Sequence, residues 1–215
     1  LGQAGDVPIR ADFDGDGKAD LAVWRPSTSQ FLEILSTGQT RAIQFGQPNV
    51  DIPAVADYDG DGRADIAVFK PTIGAWFFSR TTAGPGITGF GRADSLPVPA
   101  DYDGDGKADL ATYQPSTGTW DIQLSSGGTR TYRFGRPNED QPLPGDWDGD
   151  GKADLAVFRP STSQWFFYYS SNGSMPVIQF GAPNHDVPTP ADYDGDGKLD
   201  LSVYRPSTRQ YLTIL

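Results

Sequence analysis

Five copies of one nine-residue pattern carry most of the chemistry this sequence offers. Asp-x-Asp-Gly-Asp-Gly-x-x-Asp begins at Asp12, Asp57, Asp101, Asp146 and Asp192. Carboxylates at alternate positions face one point when the backbone curls around it, and the glycines allow the positive-φ turns that this requires. Such a centre suits a hard cation, and Ca2+ takes about six to eight oxygens in flexible geometry. The candidate ligands are Asp12, Asp14, Asp16 and Asp20 in the first loop and Asp57, Asp59, Asp61 and Asp65 in the second. The third offers Asp101, Asp103, Asp105 and Asp109, the fourth Asp146, Asp148, Asp150 and Asp154, and the fifth Asp192, Asp194, Asp196 and Asp200. The seventh residue of each loop (Lys18, Arg63, Lys107, Lys152 and Lys198) would add its backbone carbonyl, and water would complete the shell. Zn2+ is disfavoured because the chain has no Cys and one His. Mg2+ is disfavoured because it keeps its waters and demands a small octahedron. Four carboxylates packed this closely repel one another without a cation, so about five Ca2+ are expected, one per repeat.

The elements that must hold these loops repeat with them. The loops start 45, 44, 45 and 46 residues apart, a period typical of propellers and solenoids. Each is followed by a short apolar run (LAVW, IAVF, LATY, LAVF, LSVY), a turn such as RPSTSQ, and a second aromatic: Phe31, Trp76, Trp120, Trp165 or Tyr211. Four units continue to a Phe-Gly pair, and a Pro-rich stretch then leads into the next loop. Segments of about four to seven residues rich in Val, Ile and aromatics, bounded by Gly, Pro and Ser, read as strands. The loop opens like that of an EF-hand, but no Glu stands at its twelfth position and a β run follows instead of a helix. The pattern predicts an all-β, five-bladed β-propeller of four-stranded antiparallel blades, with the acidic loop between strands A and B of each. Residues 1–215 read as one propeller domain with units near 1–46, 47–91, 92–135, 136–181 and 182–215. Leu1-Gly2 occupies the Phe-Gly position and the chain stops in a C strand, so the fifth blade lacks its own D strand. That predicts a ring closed by both termini, with residues upstream of Leu1 supplying or extending the outer strand.

The chain has 215 residues, 26 Gly, 18 Pro and a net charge of −11. The loops hold 20 of the 28 acidic residues, and five bound Ca2+ would bring −11 to −1. The acidity is therefore concentrated in the loops, on a nearly neutral scaffold. No disulfide or thiolate chemistry is available. No apolar run approaches the length of a membrane span, and no concentrated basic patch invites nucleic acid. The chain opens on Leu1 and not Met, which reads as a trimmed or processed form.

The acidic loop together with the flanking Phe-Gly resembles the FG-GAP/VCBS repeat family, which also builds the integrin α-chain propeller. Residues 180–183 read FGAP, and the other copies read FGQP, FGRA and FGRP. The resemblance covers essentially the whole chain. It implies a β-propeller with Ca2+ between strands A and B, an extracellular or cell-surface setting, and a role in adhesion or ligand binding. Integrin propellers have seven blades and this chain has motifs for five, so the integrin ligand face does not carry over. The RPST-type turns look more like those of bacterial secreted proteins with such repeats.

Other recurring residues invite weaker readings. Trp76, Trp120, Trp165, Phe31 and Tyr211 open the C strands and could stack sugars, against the alternative that they pack between blades. Arg25, Lys70, Arg159 and Arg205 recur beside Pro, with Gln114 breaking the series. They read as solvated turns or links to a neighbouring blade, or as contacts to an anionic glycan. Asp6, Asp51, Asp140 and Asp186, with Asp94 displaced by one, read as turn caps. His185 reads as exposed. With one His and nearly equivalent repeats, no catalytic set emerges. The expectation is an extracellular calcium-binding scaffold or adhesion module, not an enzyme, with a glycan or cell-surface protein as partner. The alternatives are a lectin with sites between blades, a non-catalytic domain of a larger secreted or surface protein, and a designed or recently amplified repeat protein.

Overall fold

A computed structural model describes residues 2–215. Among them every regular element is a strand, and no helix is long and apolar enough to cross a membrane. The fold is a five-bladed β-propeller, built from five antiparallel sheets. The chain divides into two compact units, Leu1–Pro99 with Gly106–Thr112 and Ala100–Asp105 with Tyr113–Leu215.

In the first unit, the first blade is β1 (Val7–Ala11), β2 (Asp20–Arg25), β3 (Gln30–Ile34) and β4 (Thr40–Gln44), in that spatial order. The second is β5 (Ile52–Pro53), β6 (Ile66–Lys70), β7 (Ala75–Arg80) and β8 (Gly84–Gly89). The division falls inside the third blade, made of β9 (Leu96–Pro97), β10 (Leu110–Gln114), β11 (Thr119–Gln123) and β12 (Thr129–Arg133). In the second unit, the fourth blade is β13 (Gln141–Pro142), β14 (Leu155–Arg159), β15 (Gln164–Tyr168) and β16 (Val177–Gln179). The fifth has three strands, β17 (Val187–Pro188), β18 (Leu201–Arg205) and β19 (Gln210–Ile214). Each acidic loop joins an A strand to a B strand, as the repeat predicts. Leu1, placed by the sequence reading at the tail of an outer strand, lies outside the described residues.

The A strands are shorter than the sequence suggests. Four of the five have two residues, the second of them Pro53, Pro97, Pro142 or Pro188. The residue after the proline still bonds to strand B, Ala54 N–H donating to Ala67 O at 2.9 Å and Leu143 N–H to Ala156 O at 2.8 Å, so each proline sits where the ladder asks nothing of its nitrogen. Single bridges such as Ala56 to Asp65 and Gly145 to Asp154 then carry the chain into the loop.

Register sets each blade's core. Trp24 pairs with Phe31, Phe69 with Trp76, and Phe158 with Trp165 across strands B and C. Their ring centroids lie 4.5, 5.2 and 5.0 Å apart, and all six side chains are buried. Such ring pairs add about 0.5–1.5 kcal/mol each beyond the area they bury. Tyr204 and Tyr211 pair in the same way, but Tyr211 is 66% exposed.

Candidate metal centre

The first aspartate of each loop shapes the loop from inside. Asp12 Oδ1 accepts from Gly15 N–H at 2.7 Å and Oδ2 from Gly17 N–H at 2.7 Å. Asp57, Asp146 and Asp192 bind their two glycines in the same way. Gly15 and Gly17 have φ of 80° and 83°, a region that side chains with a Cβ rarely adopt.

The ninth aspartate ties the loop to the sheet. Asp154 Oδ2 accepts from Trp147 N–H at 2.9 Å, and its Oδ1 accepts from Ser170 N–H at 2.7 Å, beyond the end of β15. Asp20 and Asp65 repeat both contacts. Burial pushes the Asp65 and Asp154 carboxyls up; backbone hydrogen bonds oppose this, and the nearby third aspartate adds to it.

The third and fifth aspartates meet hydroxyls that the sequence reading missed. Ser36 Oγ donates to Asp16 Oδ2 at 2.5 Å, Thr81 Oγ1 to Asp61 at 2.6 Å, and Ser170 Oγ to Asp150 at 2.7 Å. Ser171 Oγ donates to Asp148 Oδ2 at 2.5 Å, and Ser126 Oγ donates to Asp103. The signal was the pair of Ser/Thr residues closing four of the five C strands (Ser36-Thr37, Thr81-Thr82, Ser125-Ser126, Ser170-Ser171), 20 and 23 residues beyond their carboxylates.

One oxygen is left over. Oδ1 of Asp14, Asp59 and Asp148, the third position in three loops, is buried with no hydrogen-bond partner among the described residues. Carboxylate oxygens of Asp12, Asp14 and Asp20 lie within 4.8 Å of one another. So do those of Asp146, Asp148 and Asp154, and of Asp192, Asp194 and Asp200. In the second loop the group is Asp57, Asp59 and Asp61. An all-oxygen set with an inward, unpaired anionic oxygen fits a hard divalent cation. Residues of the FG-GAP-like repeat model match 12–68 and 146–203, together more than half of the chain.

The chain belongs to the FG-GAP-like repeat family.

No curated protein matches the sequence. Solved structures share its fold. A catalytically inactive virginiamycin B lyase from Staphylococcus aureus, with quinupristin, is 11% identical at a TM-score of 0.62, over all of this chain and 69% of that one. An Agrocybe aegerita lectin described as recognising non-reducing terminal N-acetylglucosamine is 18% identical at 0.58, over 93% and 61%. BBS1N in complex with ARL6DN is 15% identical at 0.57, over 99% and 66%. At these identities the likeness is one of fold.

Within this FG-GAP-like chain the seventh loop residues also reach sideways. The Arg63 side chain lies against Gly15 of the preceding loop, and Lys198 against Gly149. The following residue joins the loops directly: Ala64 N–H donates to Asp12 O at 2.7 Å and Leu199 N–H to Asp146 O at 2.8 Å.

The aromatic and turn residues resolve differently from their sequence readings. Trp76, Trp120 and Trp165, like Phe31, are 0% exposed, so no ring face is open for a sugar, which corrects the stacking reading for all four. The three indole N–H groups donate to the carbonyls of Phe90, Phe134 and Phe180 at 2.8, 2.9 and 3.0 Å, fastening the Phe-Gly end of each D strand. The turn cations neither float in solvent nor bridge blades. Arg25, Arg159 and Arg205 fork onto the capping Asp6, Asp140 and Asp186 of their own sheets. The caps are as expected: Asp140 Oδ2 accepts from Arg136 N–H at 2.6 Å and Asp186 Oδ2 from Ala182 N–H at 2.8 Å.

Proposed function

We propose that this chain is a calcium-loaded repeat scaffold acting as a binding or adhesion module outside the cell, without catalytic activity. The observation that carries the metal reading is the buried, unpartnered third-position oxygen of Asp14, Asp59 and Asp148, recurring inside loops whose other carboxylates are already held by the backbone. Ca2+, when bound, supplies positive charge and oxygen coordination. The chain does the rest. Asp12 and its equivalents shape the loop, Asp20 and its equivalents lock it to strand C, and the Ser/Thr pairs orient the third and fifth carboxylates. The non-catalytic reading is supported by the single histidine and by the commitment of the acidic groups to these loops. A glycan or cell-surface protein is the proposed partner, with no nucleic acid and no membrane insertion.

A lectin reading has its own support. In the second unit, Tyr102, Tyr132 and Tyr168 line a cleft of about 220 Å³ with Arg130 and Lys152. Screening a glycan array with Ca2+ present tests it.

Thermal melting with Ca2+ and with EDTA tests the scaffold reading. An ion that binds only the folded state stabilises it by about 2.7 kcal/mol at a hundredfold excess over Kd. EDTA should therefore lower Tm sharply, and calorimetric titration should count about five ions. A melt unchanged by chelation would sink the proposal.

A further inference from the structure

The second blade carries Lys70 where the first, fourth and fifth carry arginine. In the fourth blade, Arg159 Nε donates to Asp140 Oδ1 at 2.7 Å and Nη2 to Oδ2 at 2.9 Å, so both oxygens of the cap are occupied. The guanidinium also covers the ring of Phe166, 4.2 Å from its centroid. The matching residue of the second blade is Lys70. Asp51 Oδ2 still accepts from Gln47 N–H at 2.7 Å. Lys70 Nζ, however, stands 3.8 Å from Asp51 Oδ1, beyond hydrogen-bond reach, and donates to Gln47 Oε1 at 3.0 Å instead. Asp51 Oδ1 is left buried and without a hydrogen-bond partner, on a side chain 2% exposed. It lines a cleft of about 250 Å³ bounded by Phe45, Gly46, Gln47, Lys70 and Phe77.

We propose that this cleft is a binding site for a single neutral sugar ring. A buried carboxylate oxygen demands a donor, since unpaired it has given up its hydration without replacement. The Asp51–Lys70 pair is balanced in charge, so a cation meets the ammonium and an anion meets the carboxylate, whereas a neutral hydroxyl suits both. One hydroxyl can donate to Asp51 Oδ1 while it or its neighbour accepts from Lys70 Nζ. Phe45 and the part of the Phe77 ring that Lys70 Nζ, 5.3 Å from its centroid, leaves open offer surface for the C–H face of a pyranose. The volume lies below the roughly 300–1,000 Å³ of pockets for drug-sized ligands, which favours one ring over an oligosaccharide. None of these residues belongs to an acidic loop. The site names a ligand class for the binding-module reading, and rests on that reading to this extent.

The test uses the full chain with Ca2+, probed by saturation-transfer NMR with methyl glucoside, methyl mannoside, methyl galactoside and N-acetylglucosamine. At least one should bind in the millimolar range. Lys70→Arg installs the fork seen in the fourth blade, and should keep or raise Tm while weakening binding about tenfold or more. Phe77→Leu is the second variant and should weaken binding at a similar Tm. Absence of binding by all four sugars overturns the site, as does binding that survives both substitutions. The EDTA melt on the same samples keeps the two readings apart. Sugar binding with a chelation-insensitive melt supports the site and sinks the calcium scaffold, and the reverse result does the opposite.

Discussion

Glu33 stands in β3 where the equivalent positions hold Phe78, Ile122 and Phe167. It is 1% exposed, neither carboxylate oxygen has a hydrogen-bond partner, and the Arg41 guanidinium lies 4.0 Å away. Burial pushes its carboxyl up, Arg41 opposes this, and Asp20 adds to it. A buried anion so poorly matched is a cost, so Glu33→Ile should stabilise the fold at neutral pH by about 1–3 kcal/mol in urea unfolding. The folded state binds the Glu33 proton more tightly than the unfolded chain, so the cost shrinks as pH falls through the raised pKa. The advantage of Glu33→Ile should therefore grow with pH across the carboxylate range, and a variant less stable than its parent at neutral pH would contradict this account. Trp165 makes the opposite case. Trp165→Phe keeps a ring but strands the Phe180 carbonyl, and should cost about 1–3 kcal/mol in the same measurement.

Between elements, the Arg–Asp forks fasten the end of strand B to the turn entering strand A. Asp186 is held below the usual carboxylate range chiefly by the Arg205 hydrogen bonds, and Asp6 likewise by Arg25. A depressed carboxyl contributes stability that is complete above its unfolded pKa and is lost as pH falls through its folded one. Removing the fork with Arg205→Gln should lower Tm at neutral pH and bring the difference from the parent toward zero in acid, measured with EDTA throughout. A difference that persists undiminished in acid would show that the arginine acts by packing alone. These forks also mark the limit of what the sequence reveals. The loops, their period and the strand order were legible because each is encoded within a few neighbouring residues. The Asp186–Arg205 pair spans 19 positions, and the Ser170 contacts to the fourth loop span 16 and 20. Such partners become visible only once register is known. The same holds for the indole N–H of Trp165, whose acceptor lies 15 residues on. A period of 45 shows that these residues recur, not which of them touch.

At the scale of the molecule, the 20 loop carboxylates are its dominant electrostatic feature, and within each unit consecutive loops are in contact. Ala64 N–H donates to Asp12 O, and Leu199 N–H to Asp146 O. Arg63 and Lys198 each lay a cationic side chain on the loop before their own, which offsets part of the repulsion between neighbours. Without a bound cation, the remaining repulsion opposes the compact state. Added salt screens charges more than about 10 Å apart at 0.1 M, but acts only weakly inside a cluster whose oxygens lie within 4.8 Å. Sodium chloride should therefore raise Tm of the EDTA-treated protein modestly, without restoring the Tm of the calcium-loaded form. With the five proposed Ca2+ bound the net charge would be near −1, and Tm should then respond little to salt. Arg63→Gln should steepen the salt dependence of the calcium-free form, because it removes a cation from the first loop while leaving the Ala64 link in place. Parallel salt slopes with and without calcium would show that loop repulsion contributes little to the stability of this propeller.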